Sequence, residues 1–375
     1  MTYLDHAATT PLRPEALGAM LPWLTDCYGN ASGGHALARA ARQAVEESRD
    51  VVATALGCQP GEVVFTGGGT EADNLAVAGV LARRGGTAVC SAVEHHAVLH
   101  AVEAAGGRSV AVCPDGRVDL DALAAAMGPD VTLVSVMLAN NEVGTVQPLD
   151  EVVAVVRSGA PGAVVHTDAV QAAAWLDLSE HASAADLLAV SAHKFGGPQG
   201  VGALVARRGV ALEPLLRGGG QEGDRRSGTH NVAGIVGMAA ALRATADGLS
   251  DTVERVARLR DRLADGLCAA VPGCVESGVR STKVAGSCHL LFEGIESEEL
   301  LVLLDRAGLC ATAASSCASG AMDPSHVLAA MGIPRRLAAG SLRLSLGWCS
   351  SEEDVDTALE VVPEAVARLR RRPGR

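Results

Sequence analysis

The chain has 375 residues, of which 48% are hydrophobic, 20% charged and 2% aromatic. This length and apolar content predict a globular protein of two domains with a core built from Ala, Val and Leu. The formal net charge of -12 argues against nucleic acid or an anionic membrane as a main partner, because both repel an acidic surface.

The start of the chain and the cysteine pattern indicate the cellular compartment. The opening MTYLDHAATTPLRPEAL lacks the charged and apolar regions of an export signal, and no apolar stretch approaches the ~20 residues that span a bilayer. The ten cysteines include no C-x-x-C pair and no Cys/His spacing typical of zinc, so we expect no metal site. These features predict a reduced, cytoplasmic protein.

Between about residue 50 and residue 210, short apolar strands alternate with Ala-rich helical patterns. After a strand in EVVFTGG, the segment TEADNLAVAGVLARRG has helical periodicity. Further strands are predicted in TAVCSAVEHHAV, SVAVCP, VTLVSVMLANN, AVVHTDAV and LLAVSAHKF. Continuous apolar strands separated by helices indicate βαβ units and an α/β fold with a mostly parallel sheet.

The pattern changes at about residue 251. A long amphipathic helix is predicted in DTVERVARLRDRLADGLCAAV, followed by strands in SCHLLFEG and SLRLSLG and helices in SEELLVLLDRAG and EEDVDTALEVVPEAVARL. We therefore expect a large domain over residues 1–250 and a smaller α+β domain over residues 251–375. The first ~15 residues are expected to form an arm that packs on the small domain.

Polar residues follow five of the predicted strands. Ligands bind at the carboxyl ends of the strands in an open α/β sheet. One polar strand end would be an ordinary turn, but five predict a shared pocket. The residues concerned are Thr70 and Glu71, Glu94 and His95, Asn140 and Asn141, Asp168 and Gln171, and His193 and Lys194.

Three of these strand ends suggest one cofactor. The chain has 31 Lys+Arg residues but only two lysines, Lys194 and Lys283, and a desolvated lysine forms Schiff bases where arginine cannot. FTGGGTEADN is typical of a phosphate site at a helix N-terminus, although an N-capping Thr70 explains it equally well. Asp168 ends a buried strand and needs a cationic partner, unless it caps a helix. Together they are the parts of a pyridoxal phosphate site.

Cys317 lies in ATAASSCASGAM, a run of small residues rather than bulky apolar ones. This pattern favours an accessible thiol on a loop over a cysteine buried beneath one.

The motifs that span the chain resemble those of one family. They are YLDHAATTP, GNAS, FTGGGTEADN, EHHAV, NNEVGTVQP, HTDAVQ, SAHKFGGPQGVGAL, GGGQEGDRRSGT, SSCASGAMDPSHVL and SLRLSLG. In this order they resemble the cysteine desulfurases of the class V aminotransferase superfamily. SSCASG followed by DPSHVL is similar to the longer-loop group, which includes the iron–sulfur and nitrogen-fixation desulfurases. The resemblance implies the pyridoxal 5'-phosphate (PLP)-dependent transferase fold type I.

The resemblance also implies roles for individual residues. Lys194 binds PLP covalently, Asp168 pairs with its ring nitrogen, and His95 stacks on its face and shuttles protons. Thr229, in RSGT, is the phosphate ligand donated by a partner subunit, which implies a homodimer. The resemblance implies that the cofactor is also contacted by Gly69, Thr70, Asn141, Gln171, Ser191 and His193.

For the substrate, the resemblance implies that Arg343 binds the carboxylate of L-cysteine, with Asn141 nearby. Cys317 then takes the sulfur as a persulfide and passes it to an acceptor protein, in iron–sulfur cluster assembly, thiolation or another sulfur-modification pathway. Two alternatives stay open: a PLP-dependent aminotransferase or lyase acting on another amino acid, and a sulfur-relay scaffold without catalysis. His230 stands where the family pattern predicts an apolar residue or proline, and is either a surface histidine or one that tunes access to the pocket.

Overall fold

The structure is a computed structural model that describes residues 1–313 and 325–371. Its helices are α1 (Pro14–Thr25), α2 (Ala36–Ala55), α3 (Gly69–Arg84), α4 (His96–Ala104), α5 (Leu120–Ala126), α6 (Leu149–Gly159), α7 (Leu178–His181), α8 (Val232–Asp247), α9 (Leu249–Ala270), α10 (Ser297–Arg306), α11 (His326–Ala330), α12 (Arg335–Ala338) and α13 (Glu352–Arg370). Its strands are β1 (Thr2–Tyr3), β2 (Val63–Thr66), β3 (Thr87–Ser91), β4 (Arg108–Val110), β5 (Val131–Ser135), β6 (Val164–Asp168), β7 (Leu187–Ser191), β8 (Gly202–Ala206), β9 (Cys274–Glu276), β10 (Ser287–Phe292), β11 (Leu309–Cys310) and β12 (Ser341–Ser345).

Seven strands form the central sheet, in the order β2-β8-β7-β6-β5-β3-β4. Strand β8 is antiparallel to both of its neighbours, whereas the other neighbouring pairs are parallel. Strands β2, β6, β7 and β8 are buried along their whole length, as expected for a sheet that is covered on both faces. The prediction of an α/β fold with a mostly parallel sheet is confirmed.

Several predicted strands are shorter than their apolar runs, and two of them precede histidines of the predicted pocket. In TAVCSAVEHHAV the strand ends at Ser91 and a helix begins at His96, capped by His95, whose Nδ1 accepts a hydrogen bond from the Ala97 amide (3.1 Å). In LLAVSAHKF the strand ends at Ser191, and residues 192–194 form a 3-10 turn. The polar residues therefore lie beyond the carboxyl ends of the strands, where an α/β sheet binds its ligands.

A second, antiparallel sheet has the order β12-β10-β9. Leucine and valine side chains of this sheet, α9, α10 and α13 form one hydrophobic cluster, which includes Leu290, Leu263, Leu300 and Val362. Strand β1 pairs in parallel with β11, and Asp5 forms a bridge with Ser345. The first residues of the chain are therefore hydrogen bonded to the C-terminal part, and they cross the region between the two sheets.

None of the helices in residues 1–313 and 325–371 is by itself long and apolar enough to cross a bilayer. Only α8 and α9 together, which meet at a 74° bend, reach that length and composition.

Candidate active site

A glycine-rich turn joins β2 to α3. Gly68 adopts φ = +148° and is the N-cap of α3, and within the described residues no side chain caps this helix. Thr70 is the second residue of the helix and not its cap, so the capping interpretation is wrong. A Cβ at Gly69 would lie 3.4 Å from the Ser191 Cβ, so β7 ends against the turn. Gly67 to Thr70, Ser191 and His193 line a common cleft in which an uncapped helix N-terminus favours an anion.

Asp168 is the last residue of β6 and is only 4% exposed. Its Oδ1 accepts a hydrogen bond from the Val170 amide (2.8 Å), so it caps the following turn rather than a helix. Burial raises the pKa of Asp168 to about 6, against the opposing effects of this hydrogen bond and the Lys194 charge. A cation placed beside the carboxylate would return it to the ionised form.

Lys194 closes the 3-10 turn that follows β7. Its Nζ donates to the Ala7 and Ala8 carbonyl oxygens, the latter at 2.9 Å, and Gln171 Nε2 donates to the same Ala7 oxygen (2.6 Å). Desolvation, and then the charge of Arg343, lower the pKa of Lys194 to about 8, although Asp168 opposes them. About a tenth of this amine is therefore neutral and nucleophilic at pH 7, far more than of an ordinary lysine.

Arg343 projects from β12 toward the large sheet. Its Nη1 donates to the Asn141 carbonyl oxygen (2.9 Å) and its Nη2 to Asp5 Oδ1 (2.9 Å). Its Nε is buried and has no hydrogen-bond partner within the described residues. The guanidinium is thus fixed by the loop after β5 and by the N-terminal arm.

His95 and His193 flank the lysine. Desolvation and the Lys194 charge lower the pKa of both rings, that of His193 to about 4. His193 Nδ1 lies 3.2 Å from Thr9 Oγ1, again in the arm. Both imidazoles are neutral at pH 7, so each can accept a proton or act as a hydrogen-bond partner.

One residue assigned from the sequence, Thr229, does not join this group. Thr229 is exposed and is not among the residues that line the cleft of Gly67 to Thr70. Cys317 lies outside the described residues. His230 is not a surface histidine, because its side chain is 15% exposed and its Nε2 lies 2.7 Å from Glu222 Oε1.

Sequence reasoning missed several residues that shape the site. The Ala7 and Ala8 carbonyl oxygens and Asp5 contact the lysine or Arg343 from the arm, and a carbonyl contact leaves no signal in a sequence. Glu94 was counted among the polar strand ends, but it is fully buried and accepts a hydrogen bond from the Met137 amide (2.7 Å). Gly202 on β8 packs so closely that a Cβ would lie 2.8 Å from Gly68.

The residues present fit PLP. The uncapped helix N-terminus and Ser191 suit its phosphate, Asp168 suits a protonated ring nitrogen, and Lys194 suits its aldehyde. Ala8 and His193 line the phosphate cleft, and the adjacent residues Ala7 and Lys194 line a neighbouring cavity together with Asn141 and Gln171. The two spaces therefore adjoin at the lysine.

Comparison with known proteins gives a consistent result. The family model "Aminotransferase class-V" matches residues 2–358. An "IscS-like cysteine desulfurase" of Mycobacterium tuberculosis (strain ATCC 25618 / H37Rv) is 48% identical over 99% of this chain and 98% of that protein. The solved structure of a "NifS-like protein" is 35% identical, with a TM-score of 0.92 over 98% of this chain and 100% of that one. A structure described as "SspA in complex with cysteine" is 30% identical, with a TM-score of 0.79 over 92% and 99%.

These matches confirm the resemblance drawn from the sequence motifs and the fold type I assignment. Members of this family depend on PLP, the cofactor that the residues at the strand ends fit. The chain belongs to the class V aminotransferase family.

Proposed function

We propose that this chain is a PLP-dependent cysteine desulfurase, which converts L-cysteine to L-alanine and leaves the sulfur as a persulfide on Cys317. One observation carries the proposal: a lysine with a lowered pKa, a buried carboxylate and a buried arginine meet at one edge of the sheet. The full-length relatives that are named cysteine desulfurases, and a similar structure that contains cysteine, support it.

Bound PLP supplies an electron sink that makes the Cα proton of the substrate acidic. Asp168 keeps the proton on the ring nitrogen, which its buried carboxylate favours once it has a cationic partner. Lys194, with a pKa of about 8, removes the Cα proton as a general base and can return a proton to the product. Gly69, Thr70, Ser191 and His193 hold the phosphate.

Arg343 binds the substrate carboxylate, as the family resemblance implies, and the Asn141 carbonyl oxygen and Asp5 hold its guanidinium in place. Asn141 fixes Arg343 through its carbonyl oxygen, and Gln171 lies beside the arm and the lysine. His95, with its lowered pKa, is neutral at pH 7 and can accept the thiol proton. These residues orient the amino acid so that its Cα proton faces the amine of Lys194.

Cys317 carries the sulfur step, and its assignment comes from the sequence alone. Its thiolate forms a bond to the substrate sulfur while the carbon–sulfur bond of the substrate breaks. The electron pair of that bond stays with carbon, where protonation gives alanine. The products are alanine and the Cys317 persulfide, which the enzyme passes to an acceptor protein.

We also propose a homodimer. The side chains of Leu17, Leu21 and Leu24 recur at helical spacing along α1 and are 49%, 48% and 63% exposed. An apolar stripe of this kind on a surface helix suits a second copy of the chain. Thr229, exposed and away from its own cleft, is then the phosphate ligand of the partner subunit, as the family resemblance implies.

The division into a large domain over residues 1–250 and a small domain over residues 251–375 is likewise a proposal. Its support is the change at α9, which begins at Leu249, from the central sheet to the second one. Pairing of β1 with β11, and the bridge between Asp5 and Ser345 of β12, support the predicted role of the first residues. We place the enzyme in the cytoplasm, because a free persulfide-forming thiol requires a reducing compartment.

The test uses the two lysines. Purified enzyme supplied with PLP is reduced with borohydride and mapped by mass spectrometry. Lys194 should carry the cofactor and Lys283 should not, and L-cysteine should yield alanine in an amount that depends on Lys194. Replacement of Cys317 by Ala should abolish turnover of L-cysteine while PLP stays bound. Full turnover by Cys317→Ala would instead favour an aminotransferase or lyase, and absence of bound cofactor would favour a scaffold.

A further inference from the structure

We propose that His230, Glu222 and Arg49 form a buried lock that fixes the segment 217–231 and so positions Thr229 for the cofactor phosphate of a second copy of this chain. His230 is the positioning residue of this group. The inference rests on the proposed homodimer and PLP site, and it assigns a role to a histidine that the family pattern does not predict.

The lock is centred on the Glu222 carboxylate, whose side chain is only 1% exposed. Oε1 accepts hydrogen bonds from Arg49 Nη2 (2.8 Å) and His230 Nε2 (2.7 Å). Oε2 accepts from Arg49 Nη1 (2.8 Å) and the Phe65 amide (2.9 Å). Four donors thus saturate the carboxylate, and they come from α2, from β2 and from the residue that follows Thr229.

The backbone of the segment 217–231 adopts a conformation that requires stabilising contacts. Glu222 and Asp224 adopt φ of +54° and +63°, and they are the two non-glycine residues with positive φ in the part of the chain that the structure describes. Residues with a Cβ are disfavoured in this left-handed conformation, which persists only where the surroundings over-determine it. The donors around Glu222 provide that constraint.

The lock also contacts the elements that form the phosphate cleft of Gly67 to Thr70. Phe65, which donates to Glu222, lies on β2 one residue before Thr66, where the strand ends and the glycine turn begins. Arg226 of the same segment pairs with Glu71 on α3 (2.7 Å). The segment 217–231 therefore runs beside the phosphate cleft of its own subunit. It nevertheless leaves Thr229 exposed and outside that cleft.

His230 is the link between the lock and Thr229, because it adjoins Thr229 in the chain. The Nδ1 of His230 is buried and has no partner within the described residues, whereas Nε2 faces a carboxylate that can only accept. The proton therefore sits on Nε2 and donates to Glu222. An apolar residue at this position could not donate, and the Thr229 hydroxyl would be held by the chain alone.

The test uses heterodimers in which one chain carries Lys194→Ala, so that only one site binds PLP covalently. Two differently tagged chains are co-expressed and purified through both tags. In the trans arrangement, His230→Leu is placed on the Lys194→Ala chain, which supplies Thr229 to the intact site. In the cis arrangement, it is placed on the chain that has Lys194. The measured quantity is the Kd for PLP, from titration of the cofactor-free heterodimer.

We expect the trans arrangement to raise the Kd about tenfold, the effect of a misplaced hydrogen bond to a charged group. The cis arrangement should raise it much less, because Arg49 and the Phe65 amide still hold Glu222 beside the phosphate cleft of its own subunit. His230→Gln in trans should restore affinity, because its amide can donate to Glu222. Thr229→Ala in trans should weaken binding similarly, and adding His230→Leu to it should have no further effect. The exposed His181 provides the control, since His181→Ala in trans should not change the Kd.

Equal Kd values in the two arrangements, or a rise confined to cis, would overturn the inference while leaving the desulfurase proposal intact. A general folding defect of His230→Leu would weaken PLP binding at least as much in the cis arrangement, where the substitution lies on the chain that binds PLP covalently, so it would not reproduce the expected result. Failure of the two chains to form any heterodimer would overturn the inference together with the homodimer on which it depends.

Discussion

Replacement of Glu222 by Gln should destabilise the fold strongly, although it changes one atom and no volume. Each carboxylate oxygen accepts two hydrogen bonds, so in either orientation the Gln amide NH2 faces two donors. The Arg49 guanidinium, whose side chain is 10% exposed, also loses its buried counter-ion. Breaking a buried ion pair from one side costs about 3–5 kcal/mol.

The pKa of Glu222 gives a second measure of the same interaction. Burial would raise this pKa, but the hydrogen bonds from Arg49 and His230 and the Arg49 charge lower it from 4.5 to about 2. That shift corresponds to roughly 3 kcal/mol in favour of the ionised folded state. Because the folded pKa is depressed, the stabilisation is complete above pH 4.5 and is lost as the pH falls toward 2.

The assay is urea unfolding followed by circular dichroism, at pH 7 and at successively lower pH while the protein remains folded. Glu222→Gln should lower the free energy of unfolding by about 3 kcal/mol or more at pH 7, with a smaller difference below pH 4.5. Glu254→Gln, which breaks an exposed pair with Arg258, should cost less than about 0.5 kcal/mol. Equal, small effects of the two substitutions would refute the reasoning.

Three further predictions concern the cofactor site. Asp168→Asn keeps the shape but loses the charge, so turnover of L-cysteine should fall at least about 100-fold while PLP still binds, as measured by alanine formation and visible absorbance. At Gly202 a Cβ would lie 2.6 Å from a carbonyl oxygen of β7, so Gly202→Ala should weaken PLP binding in a titration, whereas Gly162→Ala, which has open space, should not. The rate at which cofactor-free enzyme takes up PLP should rise with pH through about 8, the pKa of Lys194, and Arg343→Gln should move this midpoint to higher pH. An unchanged midpoint in that variant would contradict the role given to the arginine.

The location of the site was predictable from the sequence because of one rule of α/β folds. Apolar strands alternating with helices build a parallel sheet, and a parallel sheet brings the ends of its strands to one edge. Asp168, Ser191 and the glycine turn before α3 meet there as expected. The rule works without knowledge of the strand order, because each strand needs only to be buried and parallel.

The contribution of the arm was not predictable in this way. Lys194 donates to carbonyl oxygens more than 180 positions away, and Arg343 pairs with Asp5, 338 positions away. Backbone carbonyls are the same for every residue type, so no pattern in the first ten residues marks them. Likewise, the environment of His230 depends on a left-handed Glu222, a conformation that residue type alone does not indicate.

The two lysines show what separates a reactive amine from a structural one. Both lie in desolvating surroundings that lower their pKa. The charge of Lys283 is balanced by Glu276 of β9, whose Oε1 lies 3.0 Å from its Nζ, so Lys283 stays an ammonium group in an ion pair. Lys194 has no carboxylate within hydrogen-bond distance in the described residues; it faces uncharged carbonyls, with the positive charge of Arg343 nearby. Burial without a close counter-ion, rather than burial itself, makes residue 194 the candidate nucleophile of the chain.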